Sequence, residues 1–264
     1  MSSSTDPKVR ALWVLAVFLM ALAELAWHAW AIVAGTPPQW VWVGAALILM
    51  AGFGCAGMAV NGRADGVLID ARNRVSLSKF QATLWTLLVV SALMTAAALN
   101  LGRVPDAGAL DIRLPQELLA AMGIAAASLV GAPIVLSTKT STPAPAAAQA
   151  VAASALRLDA DQVQPRGRVF ARVESDLASW GDMFRGDEVG NAGHADLTKM
   201  QQFAITLVLV GLYGGAIWAL FGRPFPAGGY ASLPDLSAEF VWLLGISHAS
   251  YLTYKAVPQT PPAS

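Results

Sequence analysis

Six stretches of nearly unbroken apolar sequence constrain this chain more than anything else in it: 11–34, 41–60, 80–101, 118–136, 203–221 and 240–257. Each approaches the ~20 residues that cross a ~30 Å hydrocarbon layer at ~1.5 Å per residue. Inside lipid every backbone N–H and C=O must be satisfied within the protein, which leaves helices or closed barrels. Long continuous runs, as opposed to short alternating ones, select helices. The predicted fold is therefore all-α, a polytopic bundle of six transmembrane helices in a lipid bilayer. Composition agrees, with 56% hydrophobic and 13% charged residues and a mean hydropathy of +0.54, against roughly a quarter charged in soluble domains. Lys8 and Arg10 precede the first run as in a signal peptide, but that run is much longer than a secretory apolar segment, so it is read as a retained anchor. The sixth run requires Lys255 to snorkel from its end.

Seventeen basic residues balance seventeen acidic ones, which removes the positive excess that binding nucleic acid demands. The single cysteine, Cys55, excludes an internal disulfide framework. Fourteen of the seventeen basic residues fall at the N-terminus, in the loops after the second and fourth runs, and in the tail; Arg103, Arg113 and Arg223 are left for the other side. By the positive-inside rule both termini face the cytoplasm.

The chain also resembles itself at an offset of 120 residues. Ser78, Lys79, Phe80, Gln81 and Thr86 meet Thr198, Lys199, Met200, Gln201 and Thr206, and Gly102–Arg103 meets Gly222–Arg223. This suggests two repeated helical hairpins of parallel orientation. The expected organisation is an N-terminal two-span hairpin (1–61), a first hairpin repeat (62–136), a cytoplasmic linker with an amphipathic helix (137–197) and a second repeat (198–264). Gly211 and Gly215 form a GxxxG face, and the offset places Ser91 and Thr95 at the equivalent positions. Such small residues permit close helix packing, within one chain or across a homo-oligomer.

Polar groups at membrane depth are functional candidates because lipid does not solvate them. Glu24 and His28 lie one helical turn apart between tryptophans, and His248 occupies the middle of the sixth run. They fit either a proton or ion path or ordinary hydrogen bonding within the bundle. Lys79 and Lys199, with Gln81, Gln201 and Gln202 behind them, suit anchoring at the headgroup surface.

In the long loop, Ser, Thr, Pro and Ala dominate 137–155, which reads as a linker that becomes helical after Ala146. Beyond it Phe170, Val173, Leu177, Trp180 and Phe184 recur at steps of three and four, which predicts an amphipathic helix over 169–185. Leu177, Trp180 and Phe184 would carry the contact with the bundle or with a cytoplasmic protein. Asp187 and Glu188 follow between glycines, without calcium-loop spacing, and read as a solvated turn. The three histidines lie on different segments, no Gly-rich phosphate loop, nucleophile elbow or HExxH occurs, and so no catalytic residue, metal site or cofactor is expected.

GVLIDARNRVSLSKFQATLWT, DMFRGDEVGNAGHADLTKMQ and LPDLSAEFVWLLGISHASYLTYK resemble stretches of a group of uncharacterised bacterial multi-pass inner-membrane proteins. The resemblance implies an inner-membrane location and no catalytic residue. The expected function is a non-enzymatic anchor or scaffold that presents its cytoplasmic loop to a partner; the competing expectation is a channel or proton-coupled transporter that uses Glu24, His28 and His248.

Overall fold

A computed structural model describes residues 6–104 and 108–260; the ends of the first and last predicted segments, 1–5 and 261–264, lie outside them. The chain is mostly helical, with seven α-helices among the described residues: α1 (Pro7–Val33), α2 (Pro38–Asn61), α3 (Leu77–Arg103), α4 (Gln116–Ser137), α5 (Ala146–Leu156), α6 (Leu197–Phe221) and α7 (Ala238–Ala256). Five of these, α1, α2, α3, α4 and α6, are long and apolar enough to cross a membrane. The molecule is thus a multi-pass membrane protein by its helices. Where a sixth span was expected, α7 is a 19-residue helix whose buried face carries Ser247, His248, Tyr251 and Lys255, so it falls short of the apolar character of the other five.

Local chemistry sets the helix boundaries. Asp6 caps α1 by accepting from Lys8 N at 2.9 Å, with Pro7 in the first turn. Pro38 opens α2, which ends on Gly62 in the left-handed region at φ +69°. Ser76 Oγ accepts from Lys79 N ahead of α3 (3.4 Å), and Asp196 Oδ1 accepts from Thr198 N (3.0 Å) and Lys199 N (3.3 Å) ahead of α6.

The chain's contacts define two compact units assembled from non-consecutive stretches. The first comprises Met1–Val67, Thr83–Met122 and Leu207–Val241. Here α1 and α2 form an antiparallel hairpin in which Gly44 makes room for the Trp27 ring; a Cβ at Gly44 would lie 2.3 Å from it, and the indole N–H donates to Val41 O at 2.8 Å. Trp85, Val89, Ala92, Ala96 and Leu99 of α3, and Leu209, Tyr213, Ile217 and Phe221 of α6, are buried, with the Trp85 and Tyr213 rings 6.3 Å apart. Asn100 ties the loops of this unit, donating to Tyr230 O (3.0 Å) and accepting from Tyr230 N (2.7 Å).

The second unit comprises Leu68–Ala82, Gly123–Thr206 and Trp242–Ser264. Its loop portion folds into a small cap. Strands β1 (Val163–Arg166) and β2 (Val169–Arg172) pair antiparallel around a turn with Gly167 at φ +62°. This β-hairpin is an addition to the all-α expectation. Ala152, Ala153 and Leu156 of α5 pack with Val163, Phe170, Val189 and Ala192 to give the cap its own apolar core.

The predicted amphipathic helix over 169–185 does not form. Its first residues belong to β2, and Ser175–Leu177 and Trp180–Phe184 make separate 3₁₀ turns. The reason lies in the short polar residues between them. Ser179 accepts from Gly181 N, and Asp182 accepts from Ser179 N at 2.9 Å, a capping box that starts a new turn where a helix would have continued.

Candidate functional site

Within the second unit, Asp187 is the centre of a buried charge cluster. Arg72 Nη2 donates to its Oδ1 at 2.8 Å and Arg74 Nη1 to the same oxygen at 3.0 Å. Lys199 Nζ lies 3.0 Å from Oδ2, which also accepts from Lys255 Nζ. Burial pushes the Asp187 carboxyl up, but Lys199, Lys255, Arg72 and Arg74 outweigh it and hold the group well below the usual carboxylate range. Asp70 behaves likewise, its burial offset by Arg72 and Arg74 so that its pKa is lowered; Arg72, despite burial, is held above its ordinary value by Asp70 and Asp187.

Two further pairs extend the cluster. Arg172 Nη2 donates to Asp182 Oδ1 at 2.6 Å, and Lys139 Nζ donates to Glu188 Oε1 at 2.5 Å. Glu188 also accepts from Gln259 N (3.0 Å) and Thr260 N (2.7 Å), so it holds the C-terminal tail. Arg74 stacks over Phe170, 4.5 Å from the ring centroid, and donates to Gly186 O at 2.9 Å. Gly186 leaves no room for a side chain, since a Cβ there would lie 2.1 Å from Asn191 Oδ1. The cluster therefore joins the lead-in to α3, the end of α4, the cap, the start of α6, the end of α7 and the tail. The converging carboxylates are taken by the protein's own guanidinium and ammonium groups, and the arrangement acts as a clamp on the cap.

This corrects two expectations. Asp187 and Glu188 are buried, not a solvated turn. Lys199 is buried as well, with its ammonium on Asp187 and Arg185 O (2.6 Å), and so does not reach out to headgroups. Lys79 repeats the second of these contacts on Ile69 O (2.6 Å). The two acceptor residues, moreover, lie in matching bridges, Ile69 with Val75 and Arg185 with Ala195.

The sequence-predicted polar residues fall into two separate groups. In the first unit, His28 Nδ1–H donates to Glu24 O at 2.8 Å and Nε2 meets Thr95 Oγ1 at 3.3 Å. Glu24 Oε1 lies 3.8 Å from Nδ1, yet neither carboxylate oxygen has a hydrogen bond among the described residues. Glu24 lines an apolar groove of about 480 Å³ with Met20, Leu49, Phe53 and Met94. His248 belongs to the second unit. Its Nδ1 accepts from Ser128 Oγ (2.5 Å) and Gln202 Nε2 (3.1 Å), and Gln202 also donates to Gln81 Oε1 (3.0 Å). Gln81 closes this buried network by donating to Thr206 Oγ1 at 2.7 Å. The roles of Gln81 and Gln202 as a core pair, not surface groups, were hidden because neither helix rotation nor partner is encoded in a local pattern.

Ser91 and Thr95 are fully buried, and Ser91 Oγ accepts from Trp42 Nε1 at 2.9 Å. Gly211 and Gly215 sit on an exposed face of α6, where an added Cβ meets nothing within 4 Å among the described residues. The aromatic residues of the missing helix do find contacts: Trp180 packs on Phe80 (6.1 Å) and Phe184 on Phe203 (5.0 Å), while Leu177 is half-buried. Comparison of the chain with protein-family models, with curated proteins and with solved structures finds no match.

Proposed function

We propose that the protein is a non-enzymatic anchor in a bacterial inner membrane, with both termini and the cap on the cytoplasmic side and α7 as its sixth span. In this reading 62–136 and 198–264 are duplicated hairpins, which the matching Lys79–Ile69 and Lys199–Arg185 contacts support. The observation that carries the functional reading is the clamp on Asp187. A loop fixed to the helix ends by so many buried charges is a rigid platform, and Trp180 stays half exposed upon it. Large aromatic residues on a preorganised surface are the usual anchors of a protein partner. Site-specific crosslinking from position 180 in intact cells tests this. A defined crosslinked protein is expected, and Trp180→Ala should abolish its copurification while the cap remains protease-resistant. Crosslinks to lipid alone would overturn the reading.

A second reading, proton or ion movement, is favoured by one observation, the Glu24 carboxylate that has no hydrogen-bond donor among the described residues and faces an apolar groove. Reconstituted liposomes separate the two. A pH-dependent flux lost in Glu24→Gln supports transport, and absence of flux under every imposed gradient removes it.

A further inference from the structure

At the C-terminal end of α4 the second unit holds an open pocket of about 220 Å³. One face of α4 forms its apolar side, through Leu129, Ala132, Pro133 and Leu136, which follow the i, i+3, i+4, i+7 spacing of a single helical stripe. Around this stripe stand four cationic side chains, Arg72, Lys79, Arg166 and Lys255, against the lone carboxylate of Asp70. Asp187 and Asp70 neutralise Arg72, and Asp187 takes Lys255. Lys79 and Arg166 have no ion pair among the described residues; the Lys79 ammonium has only the Ile69 carbonyl. Two uncompensated cations thus sit beside an apolar stripe, at the end of a helix long and apolar enough to span a bilayer.

We propose that this cavity binds an amphiphile with a phosphate headgroup, its anion held by Lys79 and Arg166 and its apolar part along Leu129, Ala132, Pro133 and Leu136. The charge favours an anion. The stripe favours attached hydrocarbon over a bare ion, and the end of a spanning helix is the depth at which lipid phosphates meet acyl chains. The proposal is independent of whether the cap has a protein partner.

Native mass spectrometry of the full-length protein in uncharged detergent tests it, with dioleoyl phosphatidylglycerol, dioleoyl phosphatidylcholine and inorganic phosphate as probes. The anionic lipid is expected to bind more tightly than the zwitterionic one. Each basic group near a membrane surface contributes about fivefold, so Lys79→Gln with Arg166→Gln should weaken it roughly 25-fold, while Arg113→Gln, in an exposed loop, should leave it unchanged. Displacement by millimolar inorganic phosphate would support a soluble phosphate compound as the source, and resistance to it a membrane lipid. Ala132→Leu fills the apolar side without touching a charge and should weaken the lipid but not phosphate. Should Lys79→Gln fail to fold, Arg166→Gln alone and Ala132→Leu carry the test. Lipid binding unchanged in both of these overturns the proposal.

Discussion

Replacing Asp187 by Asn removes one charge and almost no volume, yet it leaves Arg72, Arg74, Lys199 and Lys255 around a neutral group. Arg74 is only 1% exposed and Lys199 only 3%, so water cannot replace the lost carboxylate at either. Breaking a buried pair from one side costs about 3–5 kcal/mol, and four cations left facing one another place this site towards the upper end. Divided by ~1.36 kcal/mol per tenfold, that corresponds to a rise of roughly 10²- to 10⁴-fold in the equilibrium for opening the cap. Hydrogen exchange of 168–191 in the detergent-solubilised protein reads this directly. The pH dependence gives an independent check. The folded-state carboxyl lies below its unfolded value of ~3.9, so the stability conferred by Asp187 is whole above that pH and is lost as pH falls through the folded-state value. The parent cap should therefore loosen below about pH 4 by a component that Asp187→Asn lacks. Parental exchange rates in Asp187→Asn at neutral pH would refute the clamp.

Three other substitutions test the packing. Gly57→Ala places a methyl 2.6 Å from Arg63 O and should cost about 1–3 kcal/mol through displaced backbone; an unchanged thermal midpoint would mean that the 63–66 turn yields freely. Gly211→Ala with Gly215→Ala enters open space and should be neutral or stabilising by up to ~1 kcal/mol each from helix propensity; a lower midpoint or a smaller particle on size exclusion would reveal a second helix on that face. His248→Leu strands the Ser128 and Gln202 donors and should cost about 1–3 kcal/mol. Ser128→Ala added to it should cost less than the sum of the two single changes, and additive losses would argue against the bond.

Five helices were legible from their bilayer-length apolar runs, but their starts were not: runs read from 11, 41 and 80 leave out the first turns of α1, α2 and α3, which begin at Pro7, Pro38 and Leu77. The cap was not legible either, for a physical reason. A spacing of three and four among apolar residues is necessary for an amphipathic helix but not sufficient, since Ser179 and Asp182 bond the intervening backbone better than a helix would. Position-specific burial was also out of reach. Phe170 of β2 is buried while Val173, one step further along the same predicted stripe, is 42% exposed.

Charge was the more misleading signal. A Lys at the start of a membrane helix is ordinarily a headgroup anchor, and a pair of acidic residues between glycines is ordinarily solvated. Each reading treats its residues alone. Taken together, Lys199 and Asp187 satisfy one another inside the cap, along with Arg72 and Arg74 from a segment more than 100 residues away. The short S-L-S-K and D-L-T-K similarity contained the clue. Lys79 and Lys199 each reach back to a carbonyl of the loop before their helix, Ile69 O and Arg185 O, so in both places the ammonium serves the fold of the preceding loop. The two lysines differ in their charge partners. Lys199 is neutralised by Asp187, whereas Lys79 keeps an uncompensated charge beside an apolar cavity.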